Sequence, residues 1–281
     1  MCFSRKIYSF LALGAYLLSC VSYFSLPETK ESMESATASI ESSEPTPPIP
    51  DDAPEFWNVT DVDTENVRKD RKLIAFTFDD APDKSLEQIV ALFLKQTALH
   101  PETPATATLF CNGGKIWAGS ETALHAAVTA GFEIGNHSQN HLRLTDLSQS
   151  RIRQEIDATD KLLSLYDKKS RHLFRAPYGA CNEKVRAAVD VPIIDWFVDT
   201  LDWTGVSADV IYDTVWENKG SGVIVLMHDG YDNTLQALKR LLPDLHEAGY
   251  QAVSVSQMAK AHDCPLRIGG VYTRARKKAA R

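Results

Sequence analysis

Short apolar runs of strand length alternate with amphipathic helical segments from about residue 72 onward, and this alternation restricts the fold more than any other feature. The strand-type runs are 73–78, 105–110, 132–137, 172–175, 192–198, 222–228 and 251–255. The helix-type segments between them are 85–96, 120–131, 147–166, 183–189, 208–218 and 233–248. Such alternation predicts a parallel sheet with helical crossovers, hence either an α/β barrel or an open doubly wound sheet. The periodicity alone does not choose between these two architectures.

Polar residues gather directly after five of the predicted strands. They are Asp79 and Asp80, then His137 and His141, then Arg175, then Asp199, Asp202 and Trp203, and finally His228 and Asp229. In both candidate architectures the carboxyl ends of parallel strands meet at one edge, where functional groups collect. We therefore expect these five clusters to lie close together in the folded protein.

The histidine pair and the adjacent carboxylates have the composition of a metal site. His137 and His141 are four positions apart, so both imidazoles can reach one ion, and Asp80 is the expected third ligand. Two imidazoles and one carboxylate, with other positions left to water, form a recurrent catalytic site for a divalent ion. The alternative is a pair of histidines that only form hydrogen bonds.

The remaining polar residues are of the types needed for proton transfer. Asp79 would accept a proton from water, and His228 would protonate a leaving group. Arg175 would keep Asp79 ionised, while Asp202 would orient His228 and raise its pKa. Such a set suits the hydrolysis of unactivated acyl compounds, either amides or esters.

Five motifs along the chain occur in the order found in a known family. They are TFDD (77–80), HSQNH (137–141), RAPYG (175–179), DTLDW (199–203) and VLMHD (225–229). By these motifs the region from Leu73 to Ala261 resembles the polysaccharide deacetylases, carbohydrate esterase family four. The resemblance implies a distorted (β/α) barrel of about seven units, and metal-dependent removal of acetyl groups from N-acetylated sugars in a polymer.

The resemblance also implies a role for each matching residue. Asp79 would be the general base and His228 the general acid. Asp80, His137 and His141 would hold one divalent ion, zinc first, with cobalt or nickel as alternatives. These roles agree with those suggested by the residue types alone.

For two supporting residues the resemblance repeats the roles suggested by the residue types: Arg175 would hold Asp79, and Asp202 would tune His228. Three more residues receive roles only through the resemblance. The backbone N–H of Tyr178 would help to stabilise the oxyanion, and Trp203 and Leu226 would line a pocket for the acetyl methyl group. The family usually has glycine where this chain has Ala81, so the backbone beside Asp80 is expected to differ slightly.

Three functions are compatible with this sequence. The first is a hydrolase of carbon–nitrogen bonds in linear amides, acting on N-acetylglucosamine polymers such as peptidoglycan, an exopolysaccharide or a chitin-like chain. The second is an O-acetyl esterase acting on xylan-like polymers. The third is a non-catalytic carbohydrate-binding protein of the cell envelope that retains the barrel.

The amino-terminal region predicts export. Residues 1–25 carry two basic residues ahead of an apolar run that is short for a membrane span, which is the pattern of an export signal. LLSC, ending at Cys20, resembles a lipobox, so lipidated Cys20 would anchor the chain in a membrane. The alternatives are an uncleaved anchor and a secreted product, and all three place the protein in or beyond the cell envelope.

Composition divides the chain into four segments. After the signal (1–25) comes a Pro/Ser/Glu-rich linker (26–56) that we expect to be disordered, then the catalytic domain (57–265) and a basic tail (266–281). Residues 27–54 contain seven acidic residues and one basic residue, a balance of -6 within the whole chain's -7. The rest of the chain therefore sums to about -1, and nothing in this balance indicates binding to nucleic acid.

Overall fold

A parallel sheet built around one long strand organises residues 55–117 and 120–276, which are those that the computed structural model describes. The strands are β1 (Lys72–Ala81), β2 (Thr108–Cys111), β3 (Glu133–Asn136), β4 (Ile193–Ile194), β5 (Val198–Asp199), β6 (Val223–His228), β7 (Tyr250–Ala252) and β8 (Val271–Tyr272). The helices are α1 (Leu86–Leu99), α2 (Glu121–Thr129), α3 (Gln149–Asp167), α4 (Glu183–Ala188), α5 (Ala208–Asn218), α6 (Asp232–Glu247) and α7 (Val255–Ala261).

Strand pairings lead around a distorted ring. The main sheet has the order β3-β2-β1-β6-β5, and β7 pairs with the first residues of β1. Single parallel bridges continue from β3 through Phe174 to β4, which pairs with β8. A bridge between Arg274 and Val223 then returns the path to β6. The result confirms the parallel sheet with helical crossovers and the distorted barrel, rather than the open sheet.

The two faces of β1 bury different surroundings because successive side chains of a strand point in opposite directions. Ile74, Phe76 and Phe78 belong to the cluster that packs the sheet against the helices. Leu73 and Ala75 belong to a second cluster on the opposite, interior face. Continuing that alternation, Thr77 and Asp79 fall on the interior face of the barrel. A buried carboxylate is thus placed inside the ring by the strand's own period.

The folded region continues beyond residue 265. Leu266 and Ala275 are buried, and the Ala275 N–H donates to the carbonyl oxygen of Gly222. At the other end, Phe56 forms a bridge with Arg267. Packing on the domain therefore extends to about residue 275 and includes the first part of the segment expected to be a basic tail.

Several expectations differ from the structure or fall outside it. The strand expected at 172–175 is reduced to the two bridges of Phe174, while α7 and β8 are elements that periodicity did not reveal. The export signal at 1–25 with Cys20, and all but the last two residues of the 26–56 linker, lie outside the described residues. Within 55–117 and 120–276, none of the helices is long and apolar enough to cross a bilayer.

Candidate active site

A break in strand register allows two adjacent carboxylates to serve the same site. The pairing of β1 with β2 shifts between Phe78 and Ala81, and Asp80 has a left-handed backbone, with φ of 63°. In a regular strand Asp79 and Asp80 would point to opposite faces. Here Asp79 Oδ2 lies 3.5 Å from His137 Nε2, and Asp80 Oδ1 lies 3.4 Å from His141 Nε2. The break therefore directs both side chains toward the histidine pair.

Left-handed backbone conformations of non-glycine residues concentrate at this site. Besides Asp80, Ser138 (φ 64°), His141 (φ 52°) and Tyr178 (φ 62°) adopt this uncommon region. Ser138 and His141 are fixed by hydrogen bonds: Asn136 Oδ1 accepts from the Ser138 N–H, and Ser138 Oγ accepts from the His141 N–H. Strained conformations persist where surrounding contacts determine them, typically at functional sites.

Asp80, His137 and His141 meet the requirements of a metal site. Their ligand atoms all lie within 4.8 Å of one another. His137 Nδ1 lies 2.8 Å from the carbonyl oxygen of Arg175, so that nitrogen carries the proton and Nε2 keeps its lone pair toward Asp79 and the cluster. A ligating histidine that donates its other N–H to a carbonyl is the usual arrangement around a metal. The residues therefore fit a divalent ion with two imidazole ligands and one carboxylate ligand.

Arg175 fills the interior of the barrel beside Asp79. It is 1% exposed, and its Nη1 donates to Asp79 Oδ1 at 2.7 Å and to Thr77 Oγ1 at 2.8 Å. Its Nε and Nη2 donate to the carbonyl oxygens of Ile194 and Asp195. The guanidinium also lies 4.2 Å from the centre of the Phe110 ring. The cation is thus held by several partners that use its planar fork of donors.

This pairing decides the protonation of Asp79. Burial by itself raises the pKa of a carboxyl group, and Asp79 is almost completely buried. The charge of Arg175, with smaller contributions from His137 and His228, outweighs that effect and holds the Asp79 pKa below its usual value. Asp79 is therefore a carboxylate at neutral pH and can accept a proton.

His228 lies on the opposite side of β1 from Asp80, His137 and His141 and is held by Asp202. It is the register partner of Asp79 in the β1–β6 pairing. Asp202 Oδ1 lies 2.8 Å from His228 Nδ1, and Asp202 Oδ2 accepts from the backbone N–H of His228 at 2.8 Å. Thr234 Oγ1 also donates to Asp202 Oδ2, which fixes the carboxylate. The geometry leaves His228 Nε2 as the nitrogen available to a substrate.

Asp202 also shifts the titration of His228. Burial of the imidazole lowers its pKa, but the hydrogen bond that it donates to Asp202, together with the charges of Asp79 and Asp202, raises it by more. The net pKa of His228 is therefore above its ordinary value. A histidine shifted in this direction stays protonated further into the neutral range, as a proton donor requires.

The other residues singled out from the sequence occupy varied positions. The Tyr178 ring packs edge-on against His141, with ring centres 4.7 Å apart. Trp203 is 53% exposed, while Leu226 is buried two residues before His228 on the same face of β6. Ala81 is the buried last residue of β1, and among the described residues the left-handed conformation falls on Asp80 and not on Ala81. The alanine methyl group is thus accommodated without a left-handed conformation at Ala81.

Asp229 and Asp199, two carboxylates from the motifs, accept hydrogen bonds outside the catalytic cluster. Asp229 accepts from the N–H groups of Asp83 and Ser85 and so holds the start of α1. Burial raises the pKa of Asp229 to about 6. Asp199 accepts from the N–H of Leu201 within its own loop. Neither contacts the catalytic cluster through its carboxylate in the described hydrogen bonds.

Glu155 is a supporting residue that sequence reasoning missed. It lies on α3, is 1% exposed, and accepts from both the backbone N–H and the side-chain amide of Asn140 at 2.8 Å. Asn140 lies between the two histidine ligands, so Glu155 fixes the loop that positions them. Arg151, one helical turn earlier, balances the buried charge at 2.8 Å. The sequence did not indicate this role, because a glutamate within an amphipathic helix is usually a solvent-exposed residue.

Glu155→Gln is expected to weaken metal binding by roughly 10- to 100-fold, the usual effect of losing a group that orients a ligand. The amide retains the volume but places an NH2 group where Asn140 presents donors. Competition with a chromophoric chelator would measure the affinity. Asp157→Asn, at a position on the same helix with an exposed side chain, should leave the affinity unchanged. Equal affinities in the two variants would contradict the assigned role.

Comparison with known proteins gives consistent matches. The sequence profile described as polysaccharide deacetylase matches residues 66–191. Over 194 residues the chain is 32% identical to the peptidoglycan-N-acetylmuramic acid deacetylase PdaC of Bacillus subtilis (strain 168), which covers 69% of this chain and 40% of PdaC. Over 205 residues it is 32% identical to a peptidoglycan-N-acetylglucosamine deacetylase of Bacillus cereus, which covers 70% of this chain and 92% of that protein.

A solved structure extends the likeness to the fold. The chain superimposes on a family 4 acetyl xylan esterase from Clostridium thermocellum, in complex with a cobalt ion, with a TM-score of 0.65 and 25% identity. The match covers 72% of this chain and 98% of that one. The chain spans only 40% of the length of PdaC but nearly all of the Bacillus cereus enzyme. With these matches and the five ordered motifs, the chain belongs to the polysaccharide deacetylase family, carbohydrate esterase family four.

Proposed function

We propose that this protein is a metal-dependent deacetylase that removes N-acetyl groups from N-acetylglucosamine-containing polysaccharide, with peptidoglycan as the first candidate. The observation that carries the proposal is a buried, ionised Asp79 beside a three-ligand metal site, with the Asp202–His228 pair across the same strand end. This arrangement provides a proton acceptor and a proton donor on either side of one reacting centre. The relatives named for peptidoglycan deacetylation support this choice of polymer.

A metal ion at the proposed site would activate both the attacking water and the acetyl group. A divalent ion held by Asp80, His137 and His141 would lower the pKa of water at the site and polarise the acetyl carbonyl. Zinc is our first choice because two imidazoles and one carboxylate with open positions are typical of catalytic zinc. Cobalt or nickel would be accepted by the same ligands.

Asp79 and His228 transfer the protons of the reaction. Asp79 accepts a proton from the water whose oxygen bonds to the acetyl carbon, and Arg175 keeps Asp79 ionised until then. His228 gives a proton to the sugar nitrogen as the carbon–nitrogen bond breaks. The products are acetate and a free amine on the sugar. The Tyr178 N–H is proposed as an oxyanion donor, with Trp203 and Leu226 beside the acetyl methyl group.

The proton donor favours an amide over an ester. An amine leaves only when its nitrogen is protonated, whereas the alkoxide of an ester depends less on such help. His228 is held by Asp202 through two hydrogen bonds, and its pKa is raised. The ester alternative remains a second candidate because a structurally similar protein is an acetyl xylan esterase.

The proposed location follows from the amino-terminal sequence. We propose that residues 1–25 direct export, that Cys20 carries a lipid anchor, and that residues 26–56 form a linker that separates the catalytic domain from the membrane. The protein would then act in the cell envelope, where peptidoglycan lies. Labelling cells with a radioactive fatty acid would test the anchor, because a Cys20→Ser chain should carry no label.

Asp202→Asn is expected to move the alkaline limb of the pH–rate profile to lower pH. His228 acts while protonated, so activity is lost as pH rises through its pKa, and Asp202 raises that pKa. Asparagine keeps the shape but removes the charge, so His228 loses its proton at lower pH. The profile of kcat against pH measures the shift. Asp199→Asn, in the same loop, is the control and should leave the limb in place.

Acetate release from a small panel of polymers tests the proposed function. The full-length protein, loaded with zinc or cobalt, would be incubated with peptidoglycan, N-acetylchitooligosaccharides and O-acetylated xylan. We expect release from at least one of the two N-acetylated polymers at a higher kcat/KM than from the xylan. Preferential release from xylan would favour the esterase. Sugar binding without any release, unaffected by a chelator, would overturn the enzymatic assignment.

A further inference from the structure

A second group of metal-ligand side chains lies away from the catalytic cluster. His100, Glu102 and His246 place one ligand atom each within 4.8 Å of the others. His100 directly follows α1, Glu102 lies in the next turn, and His246 lies in the last turn of α6. Three separate positions in the sequence thus converge on one point of the surface.

The two imidazoles are in contact with each other. Their rings stack with centres 3.6 Å apart and planes inclined by 22°, so binding of one ion requires the rings to turn until a nitrogen of each points at it. Thr103, which is buried, places its hydroxyl 3.0 Å from His246 Nε2, and its backbone N–H donates to the carbonyl oxygen of His100. A hydroxyl contact of this kind orients an imidazole as the partners of metal-bound histidines do. The turn at residues 100–103 is therefore organised before any ligand arrives.

Charges of both signs surround these three side chains. Both histidines lie at helix carboxyl ends, where the helix dipole attracts positive charge. Glu102 adds a carboxylate. Arg71 opposes these effects, because its guanidinium donates to the carbonyl oxygens of His246 and Tyr250 nearby.

We propose that His100, Glu102 and His246 form a second divalent-metal site, of the zinc or nickel class, that joins the end of α1 to the end of α6. Two imidazoles and one carboxylate suit these ions, and water would complete the coordination. The site is structural, because it lies at the opposite end of β1 from Asp79. The start of β1 lies near this site, because the backbone N–H of Lys72 donates to the carbonyl oxygen of Gly249, three residues after His246. The separation along β1 is roughly 20 Å at the usual rise of a strand.

Zinc binding to full-length variants tests the site without reference to catalysis. Titration with Zn²⁺ alone should show two sites in the unmodified chain and one in the Asp80→Asn/His141→Gln variant. Adding His100→Gln and His246→Gln to that variant should remove the remaining site. The readout is metal stoichiometry, so a failure to release acetate would not affect it, and loss of this site would not affect the proposed deacetylase.

Single substitutions keep the test decisive if the fourfold variant folds poorly. In the Asp80→Asn/His141→Gln background, Thr103→Val should raise the zinc dissociation constant by roughly 10- to 100-fold, as expected for a group that orients a ligand. Glu102→Gln, at an exposed position, should also raise it, whereas His125→Gln on α2 should not. The proposal is overturned if the background variant binds no zinc, or if its affinity is unchanged by Glu102→Gln and Thr103→Val.

Discussion

Asp79→Asn is expected to lower the rate of acetate release by roughly 10²- to 10⁴-fold, the usual contribution of a general base, while the metal ion stays bound. Asparagine cannot accept the proton of water at neutral pH, but the three proposed ligands are untouched. Asp79 Oδ1 accepts from Arg175, and an amide oxygen can keep that hydrogen bond. Activity and metal content should therefore separate in this variant.

Asp80→Asn is the matched control, because it changes the neighbouring residue in the same way. It removes the only carboxylate of the proposed ligand set, so we expect metal content and activity to fall together. Metal analysis and acetate release on the same samples would compare the two. Equal loss of metal in both variants would show that the two carboxylates do not have separate functions.

Arg175→Met is expected to lower the free energy of unfolding by about 3–5 kcal/mol, the cost of removing one partner from a buried ion pair. The change removes donors to Asp79, Thr77 and two backbone carbonyls from the barrel interior. It also leaves Asp79 buried without its cation, so burial would raise the Asp79 pKa and remove the base. Stability and activity should both be lost.

Urea unfolding of the metal-free protein measures the effect on stability. Arg175→Lys retains a positive charge but has no planar fork of donors, so it should recover only part of the stability. Arg240→Met is the surface control, because Arg240 pairs with Asp209 on exposed helix faces, and it should change the unfolding midpoint little. An Arg175→Met variant as stable as the Arg240→Met variant would contradict the importance of the buried pair.

Sequence reasoning predicted the fold class and the collection of motifs because both depend on strong local signals. The continuous apolar run of β1, the longest strand, matches its burial along nearly its whole length, and the motif residues fall at strand ends. The structure places Asp79 3.5 Å from His137 and 2.7 Å from Arg175. It places Asp80 3.4 Å from His141. The two-residue strand β8 and the seven-residue helix α7 were missed because periodicity is weak over so few positions.

The left-handed backbone conformations at the site, and the buried side chains that hold the loop of His137 and His141, could not be predicted from the sequence. The left-handed residues at the site include aspartate, serine, histidine and tyrosine, where glycine would have been the usual indication. Tertiary contacts determine these conformations, and Glu155 is part of that support through Asn140. The expectation that Ala81 changes the backbone beside Asp80, relative to the glycine usual in the family, stays a prediction.

The order of the strands affects when the site becomes complete. Ile74 on β1 pairs with Val223 on β6, about 150 positions later in the chain. Closing such a long loop is entropically costly, and pairing between distant segments slows folding. His228 enters the site through this pairing, whereas Asp80, His137 and His141 lie within the first 141 residues of the chain. A chain that folds as it emerges from a ribosome would therefore gain His228, the proposed proton donor, after the three proposed metal ligands.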